Sequence, residues 1–593
     1  MSLEMVKRSY DLTVTDETVQ LHPKSTNYRP SAEMLKNLMK LRWYKPNTLF
    51  LLNHHTTHTT IVAVDIETSA KHFLDGEIRL ISVYSEQRSI VTSNVAEVES
   101  ILEDEQVLKV FHNAASDVTW LKAKGLDVKN YTDTMVMAQI VYNTNKSNNS
   151  LQALALEWLG IVVDKQLQDK SNWQYDLTEE HKNYALKDAK VTLRLYHTLN
   201  QQIHEKCLDV VLDREIRALP AIVELNLNGI PFDYDGWDVL LDEMEDELKN
   251  IEEQILFFFG IPNLNLTSPQ QVIQAFKSIG IQLPSTKEED LARYESEHPI
   301  IRQLCKYKRL KKRITTYGEK LREKIHSDGR LYGNWRLIGT DTSRMSCKQP
   351  NLQGLPTKAK QFVKAPEGYT FVIADYSTIE LRILAEITKD NELVNAFRNG
   401  EDLHRKTARA IFNRNEEHEI TSEERQIGKV VNFGLIYGMT AYGLKKKITA
   451  ATGVEISLEQ AELFRNRYFE LYPSVLDYQD RMLKAIIIST LGGRYWGEDT
   501  SMLEKGAISR FNYPIQGTGA EGLKESLANL PPLLSPKWKL VAAIHDEIVL
   551  QVPSGDAEQA KQALFRAMRE GMQHLIRSIP IEIEMKTSNH WTK

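Results

Sequence analysis

Acidic residues interrupt otherwise apolar segments at several places in this 593-residue chain. In "VAAIHDEIVLQV" (541–552), Asp546 and Glu547 sit between two apolar runs. Burying a carboxylate without a cation or hydrogen bonds is costly, so the pair implies a partner. In "GYTFVIADYSTIELRILAEITKD", Asp375 ends a strand-like run that passes into a helical pattern. A carboxylate where a strand stops is held by a rigid element yet still reaches solvent and ligand. If "LVAAI" and "IVLQV" form a hairpin with "HDE" at its tip, Asp375 and Asp546 can meet over one sheet and hold a metal pair about 3.5–4 Å apart, suited to in-line phosphoryl transfer.

A second acidic set lies earlier. In "VAVDIET", Asp65 and Glu67 are two apart on a predicted strand, so both face the same side and suggest a divalent metal. "FHNAASDVTWL" places Asn113 and Asp117 four apart, and "NYALKDAKVTL" does the same for Tyr184 and Asp188 in a helical stretch. Between the two sets, Arg425, Lys429, Phe433 and Tyr437 recur at every fourth position of "ERQIGKVVNFGLIYGMTAYGL". On a helix each step drifts about 40°, so they share one broad face. Two cations followed by two aromatics suit a nucleotide, cations for phosphates and a ring for base or sugar; the polar face of an ordinary amphipathic helix fits the same spacing. Residues 301–324 carry ten Lys or Arg against two Glu, with Tyr307 and Tyr317 interleaved, and read as a phosphate-backbone contact.

The chain that must position these groups has ordinary globular composition, with 42% apolar and 26% charged residues. Its net charge of −6 excludes a global basic field but not local basic patches. The three cysteines are far apart and form no metal-spacing motif, which points to a reducing compartment. The first residues lack the apolar core of a signal peptide, and the densest apolar run, "ILFFFG", falls far short of the ~20 residues of a membrane span. A soluble, cytoplasmic protein is expected. "SAEMLKNLMKLRWYKP" predicts a basic amphipathic helix and "NHHTTHTT" a polar loop. From "IVAVDIET" a strand, a "DG" turn and "EIRLISVYS" predict a hairpin, followed by helical patterns to about residue 200.

The ordered set Asp65, Glu67, Asp117, Tyr184 and Asp188 resembles the tyrosine-bearing branch of the DEDD 3′–5′ exonucleases. The later motifs resemble family A DNA polymerases, the bacterial DNA polymerase I type: "DYSTIELR" matches motif A, "RQIGKVVNFGLIYG" motif B and "HDE" motif C. "TDTSRMSCKQPNLQGLP", "EDLH", "NYPIQGT" and "YKRLKKRITTY" match further family segments. Together the resemblances cover some 90% of the chain. They imply a multi-domain α/β and α+β fold, an RNase H-like exonuclease domain plus a right-hand polymerase domain. The expected limits are an N-terminal extension at 1–55, the exonuclease at 56–204, and the polymerase at 205–593. Within the last, the thumb is placed at about 205–335, the palm at about 336–400 and 500–593, and the fingers at about 401–499.

The same resemblance implies the roles. Asp375, Asp546 and the main-chain carbonyl of Tyr376 are expected to ligate two Mg²⁺ ions in the polymerase site, with Mn²⁺ as a substitute. Asp65, Glu67, Asp117 and Asp188 are expected to do so in the nuclease, where Tyr184 orients the attacking water. Arg425 and Lys429 are expected to grip the triphosphate, Lys429 also giving a proton to pyrophosphate, and His404 to touch phosphate. Phe433 stacks near the incoming sugar and base, Tyr437 shapes the template-base position, and Glu380 crowds the sugar 2′ position. Arg344, Asn351, Gln353, Gln516 and His545, with Lys311, Lys312 and Arg313 in the basic segment, are expected to contact primer–template DNA. The implied partners are that DNA, dNTPs, and a helicase, primase or processivity factor, with the enzyme a monomer and no membrane involved.

Several positions depart from the family pattern. Thr378 stands where motif A usually has glutamine, and Ser343 replaces a glycine before Arg344. Trp496 occupies the place of a second arginine after Arg494, Ile508 that of an arginine, and Glu521 that of an aspartate. About 55 leading residues are too few for the 5′-nuclease domain of many bacterial relatives, which suggests a phage-like or organellar-type replicative enzyme. A single-subunit RNA polymerase shares parts of motifs A to C, but Glu380 and the exonuclease set argue against it. A catalytically silent DNA clamp is opposed by the intact Asp375, Asp546, Arg425 and Lys429.

Overall fold

The computed structural model describes residues 60–143, 148–163, 167, 169, 173–291, 294, 298–497 and 506–592, and the backbone of the strands Tyr10–Val14 and Thr18–Pro23. The expected helix at 31–46 and the loop at 53–60 lie almost wholly outside these residues. Among the described residues the chain forms two compact units. The larger comprises 1–228, 335–347 and 372–587; the smaller comprises 229–334, 348–371 and 588–593.

In the larger unit, a five-stranded sheet runs in the order Ser89–Thr92, Ile78–Tyr84, Thr60–Thr68, Val107–Phe111, Tyr131–Asp133. Thr60–Thr68 pairs antiparallel with Ile78–Tyr84, as the "DG" turn predicts, and parallel with Val107–Phe111. The last three strands in chain order are absent from the sequence reading, which expects helices there. They are only three to five residues long, too short for period-2 alternation to stand out. The 27-residue helix Glu179–Glu205 lies on this sheet, where Ala189 and Leu193 pack with Ala63. It starts at Thr178, whose side chain accepts from the N–H of His181 while the His181 ring takes the N–H of Thr178.

A second sheet has the order Lys539–Ile544, Glu547–Pro553, Tyr369–Tyr376, Ile583–Ser588. Its central strands are almost continuously buried, and helix Ala557–Gln573, itself packed on Ala507–Asn529, lies against Glu547–Pro553. The hairpin predicted at 540–552 forms, with a two-residue loop; Glu547 already belongs to the second strand, opposite Ile544. Helix Ser422–Ile436 packs on Leu403–Ile411, and a Cβ at Gly428 would lie 2.3 Å from His404 O. Only glycine lets the two helices approach so closely. The N-terminal hairpin adds its strand Thr18–Pro23 to Ile487–Ser489. The smaller unit carries the basic helix Pro299–Tyr317. No helix among the described residues is long and apolar enough to cross a membrane.

Candidate active sites

The first site gathers at adjoining strand ends of the second sheet. The N–H of Tyr376 donates to the carbonyl of Asp546 at 3.2 Å. This bond brings Asp375 and Asp546 to neighbouring positions, a juxtaposition that their separation in the chain leaves open. Both acids are half-buried, while their flanks, Ala374 and Ile544, are inside the core. The ring of Tyr376 points inward: its hydroxyl lies 2.7 Å from Ser526 Oγ and donates to Met568 O at 2.5 Å. The side chain thereby anchors the strand end. Arg382, one turn on, ties down the next loop, with Nε to Ser377 O at 2.9 Å, Nη1 to Pro580 O at 2.7 Å and an ion pair with Glu582.

Two non-glycine residues at this rim have left-handed backbones, Thr378 (φ 51°) and His545 (φ 57°). Each costs on the order of 1 kcal/mol, and more for β-branched Thr378. The cost is met by the rigid sheet and helix that define the turns. No sequence pattern marks these two backbones as left-handed, and none marks Ser526; for Arg382 the one available signal is an arginine inside an otherwise apolar helix face.

The predicted helical face holds, with Arg425, Lys429 and Phe433 on helix Ser422–Ile436 and Tyr437 as its C-cap residue. Arg425 Nε lies 2.7 Å from Asp402 Oδ2, and Asp402 caps helix Leu403–Ile411. Lys429 is exposed. His404 is buried; its ring is 5.9 Å from that of Phe433, and Asn432 Nδ2 is 3.0 Å from its Nδ1. Burial first, then the nearby Arg425 and Lys429 charges, lower its pKa to about 4 against the pull of Asp402. His404 is therefore neutral at physiological pH, and the Asn432 amide N–H leaves the ring proton on Nε2 as a donor. Glu380 joins two residues predicted for different tasks. It pairs with Arg344 Nη2 at 2.6 Å and accepts a hydrogen bond from Tyr437, which also meets Gln516.

In the smaller unit, Lys311, Lys312 and Arg313 are exposed on the basic helix. Asn351 is also exposed and accepts from Gly354 N at 3.2 Å; Gln353 is half-buried. The departures Trp496 and Glu521 are fully buried. Trp496 donates to Asn143 O, and Glu521 accepts from Thr490 and Gly492. Ile508 is exposed, and Arg510 instead ties the main-chain carbonyls of Met482 and Ala485.

The second site lies on the five-stranded sheet. Ligand oxygens of Asp65, Glu67 and Asp188 lie within 4.8 Å of one another. Glu67 and Asp188 are buried, Asp188 Oδ1 has no hydrogen-bond partner among the described residues, and burial and then Glu67 raise the Asp188 pKa. An all-oxygen donor set with a buried, unmatched carboxylate oxygen suits a hard divalent cation. The Tyr184 hydroxyl bonds to Asp188 one turn later. Asp117 falls outside this triple, half-buried in the first turn of helix Ala114–Ala123. Asn113 does not stack below it as the spacing suggests; it precedes the helix with φ 71°. Asp133, not anticipated, is buried and accepts from the N–H groups of Asn113 and Ala114 at 2.9 Å each and of Met135 at 2.8 Å.

Residues 236–593 match the family model for DNA polymerase family A. The chain belongs to DNA polymerase family A. Residues 48–204 match the 3′–5′ exonuclease model. The family A chain is 31% identical over 577 residues to DNA polymerase I of Aquifex aeolicus, covering 89% of this chain and 97% of that one. It is 29% identical to DNA polymerase I of Pseudomonas aeruginosa, covering 83% of this chain but 57% of that longer protein. A solved POL domain of Pol1 from M. smegmatis, in complex with DNA primer-template and dNTP, superimposes with a TM-score of 0.76 at 25% identity, over 92% of this chain and 98% of that one. This family A enzyme performs template-directed DNA synthesis with 3′–5′ proofreading. The relatives named here are bacterial and lend no support to the phage-like expectation.

Proposed function

We propose that the two sites divide synthesis and proofreading, and that both work through divalent cations, Mg²⁺ in the first instance with two per site and Mn²⁺ as a substitute. The observation that supports the first assignment is the bond from Tyr376 N to Asp546 O, which sets Asp375 and Asp546 on adjoining strand ends. Asp375, Asp546 and that carbonyl would hold the cations of synthesis; Asp65, Glu67, Asp117 and Asp188 would hold those of degradation. When bound, such cations supply charge neutralisation at the attacking and leaving oxygens.

The side chains do the rest. Arg425, fixed by Asp402, and the exposed Lys429 bind the triphosphate, and Lys429 gives a proton to the departing pyrophosphate. Neutral His404 donates Nε2–H to phosphate. Phe433 covers the sugar and base. Glu380, held between Arg344 and Tyr437, presents a fixed carboxylate against a ribose 2′-hydroxyl. Arg344, Gln516, His545, Asn351, Gln353 and Lys311–Arg313 hold primer and template. Minor-groove acceptors are shared by all correct pairs, so such contacts test geometry without reading sequence. In the nuclease, the Tyr184 hydroxyl orients the attacking water. The exonuclease limits 56–204, the thumb at about 205–335, the palm at about 336–400 and 500–593, the fingers at about 401–499, a monomeric cytoplasmic enzyme and a helicase, primase or processivity partner belong to the same reading.

Primer extension with all four dNTPs tests it. Chelation of divalent cations is expected to stop both extension and degradation, and added Mg²⁺ or Mn²⁺ to restore them; extension that persists in chelator would overturn the metal assignment. Phe433→Tyr is expected to raise dideoxynucleotide incorporation about fivefold or more, since one added hydroxyl placed beside the sugar can supply on the order of 1 kcal/mol. Unchanged discrimination in a termination assay would remove Phe433 from the sugar site.

A further inference from the structure

We propose that Asn143, at the end of an exonuclease helix, is a positioning residue for Arg344 in the polymerase domain. The proposal rests on the reading of Arg344 as a primer–template contact. Helix Thr134–Tyr142 starts at Asp133, the buried carboxylate that also holds the first N–H groups of the helix bearing Asp117. Its other end is Asn143, with φ 54°. There Asn143 Oδ1 accepts from Arg494 Nη1 at 3.1 Å, and Asn143 O accepts from Trp496 Nε1 at 3.1 Å. One turn earlier Gln139 Nε2 donates to Ile338 O at 3.3 Å, within the segment that leads to Arg344.

From Arg494 the contacts continue without leaving the interior. Arg494 Nη2 meets Glu215 Oε1 at 3.1 Å, and Lys524 Nζ meets the two Glu215 oxygens at 2.8 and 2.7 Å. Lys524 also donates to Ser343 Oγ at 2.8 Å, and that hydroxyl donates to Glu215 Oε1 at 3.3 Å. Ser343 has φ 64°, a conformation that favours glycine, and it immediately precedes Arg344. Its hydroxyl is thus the pin that holds a strained turn, and the pin is set by a buried ion group. Asn143, Glu215, Ser343, Arg494 and Lys524 are each at most 6% exposed. Away from water, removing one acceptor leaves a guanidinium under-satisfied, and the remaining members rearrange to compensate. The shift falls on Glu215 and Ser343, and so on the approach of Arg344 to Glu380.

Asn143→Gly accommodates the left-handed backbone and removes the side chain, the Oδ1 acceptor of Arg494 with it. In the full chain this variant is expected to weaken binding of a matched primer–template about five- to tenfold, as for loss of one charge-assisted hydrogen bond partly transmitted. Degradation of single-stranded DNA is expected to stay unchanged, and Asn143→Asp, which keeps an acceptor oxygen, to restore binding. Because the effect runs through Arg344, Asn143→Gly with Arg344→Ala is expected to bind no worse than Arg344→Ala alone. Unaltered binding by Asn143→Gly, an additive cycle, no rescue by Asn143→Asp, or a parallel loss of degradation would each overturn the role of Asn143. If Arg344→Ala itself left primer–template binding unchanged, the assignment of Arg344 as a DNA contact would fall instead, and the role of Asn143 with it.

Discussion

Asp546→Ala is expected to abolish primer extension, by about three orders of magnitude or more, while 3′–5′ degradation continues at the parental rate. The size follows from the place of this carboxylate. Asp546 is half-exposed at the head of a hairpin whose strands are buried, next to Asp375 through the bond between Tyr376 N and Asp546 O. Phosphoryl transfer asks the protein mainly to position charge against developing charge, and a proposed cation ligand lost from a strand end has no substitute there. The variant should fold. The left-handed residue of the turn is His545, not Asp546, and the bond that joins the two strand ends uses the main-chain carbonyl, which alanine keeps. Extension and degradation measured on one primed template, with Tm as a control for folding, check the outcome. Loss of both activities in a folded protein would mean that one site serves both reactions.

The converse change is expected to be as large. Asp65→Ala combined with Glu67→Ala should reduce 3′–5′ degradation by about three orders of magnitude and leave the rate of extension intact, while misincorporation accumulates. Both side chains leave one face of the strand Thr60–Thr68, and with Asp188 they bring three acids within 4.8 Å. Without cations such a cluster is repulsive, so removing two of its members should hold Tm or raise it. The assay is release of nucleotides from a 3′ end, beside a mutation-reporter readout of synthesis. Retained degradation would move the nuclease centre elsewhere.

The two sites were legible in the sequence to different degrees. Asp65 with Glu67, and Tyr184 with Asp188, are local pairs: strand and helix periodicity places each on one face, and the folded chain brings Asp65, Glu67 and Asp188 together. Asp117 carries the same local signal but lies outside that triple, and Asn113 precedes its helix instead of stacking on it. The hairpin around Asp546 was readable from two apolar runs and a polar break, apart from the place of Glu547 in the strand. Three short strands of the first sheet were not, since runs of three to five residues carry too little pattern. Nor were Thr378, Ser343 and His545 as left-handed residues, because none is the glycine or asparagine that usually announces such a turn.

What the sequence determined by itself was chemistry and order: which acids, cations and rings exist, on which face of which element, and in what succession. Those properties depend on neighbours three or four residues away. Tertiary structure alone decided which distant groups meet. Asp375 reaches Asp546, Glu380 lies between Arg344 and Tyr437, and Asn143 ends on Arg494, each through pairings of strands or packing of helices remote in the chain. Such meetings are settled by the burial of whole elements against one another, and a buried ion group like that around Glu215 is stable only once every member has arrived.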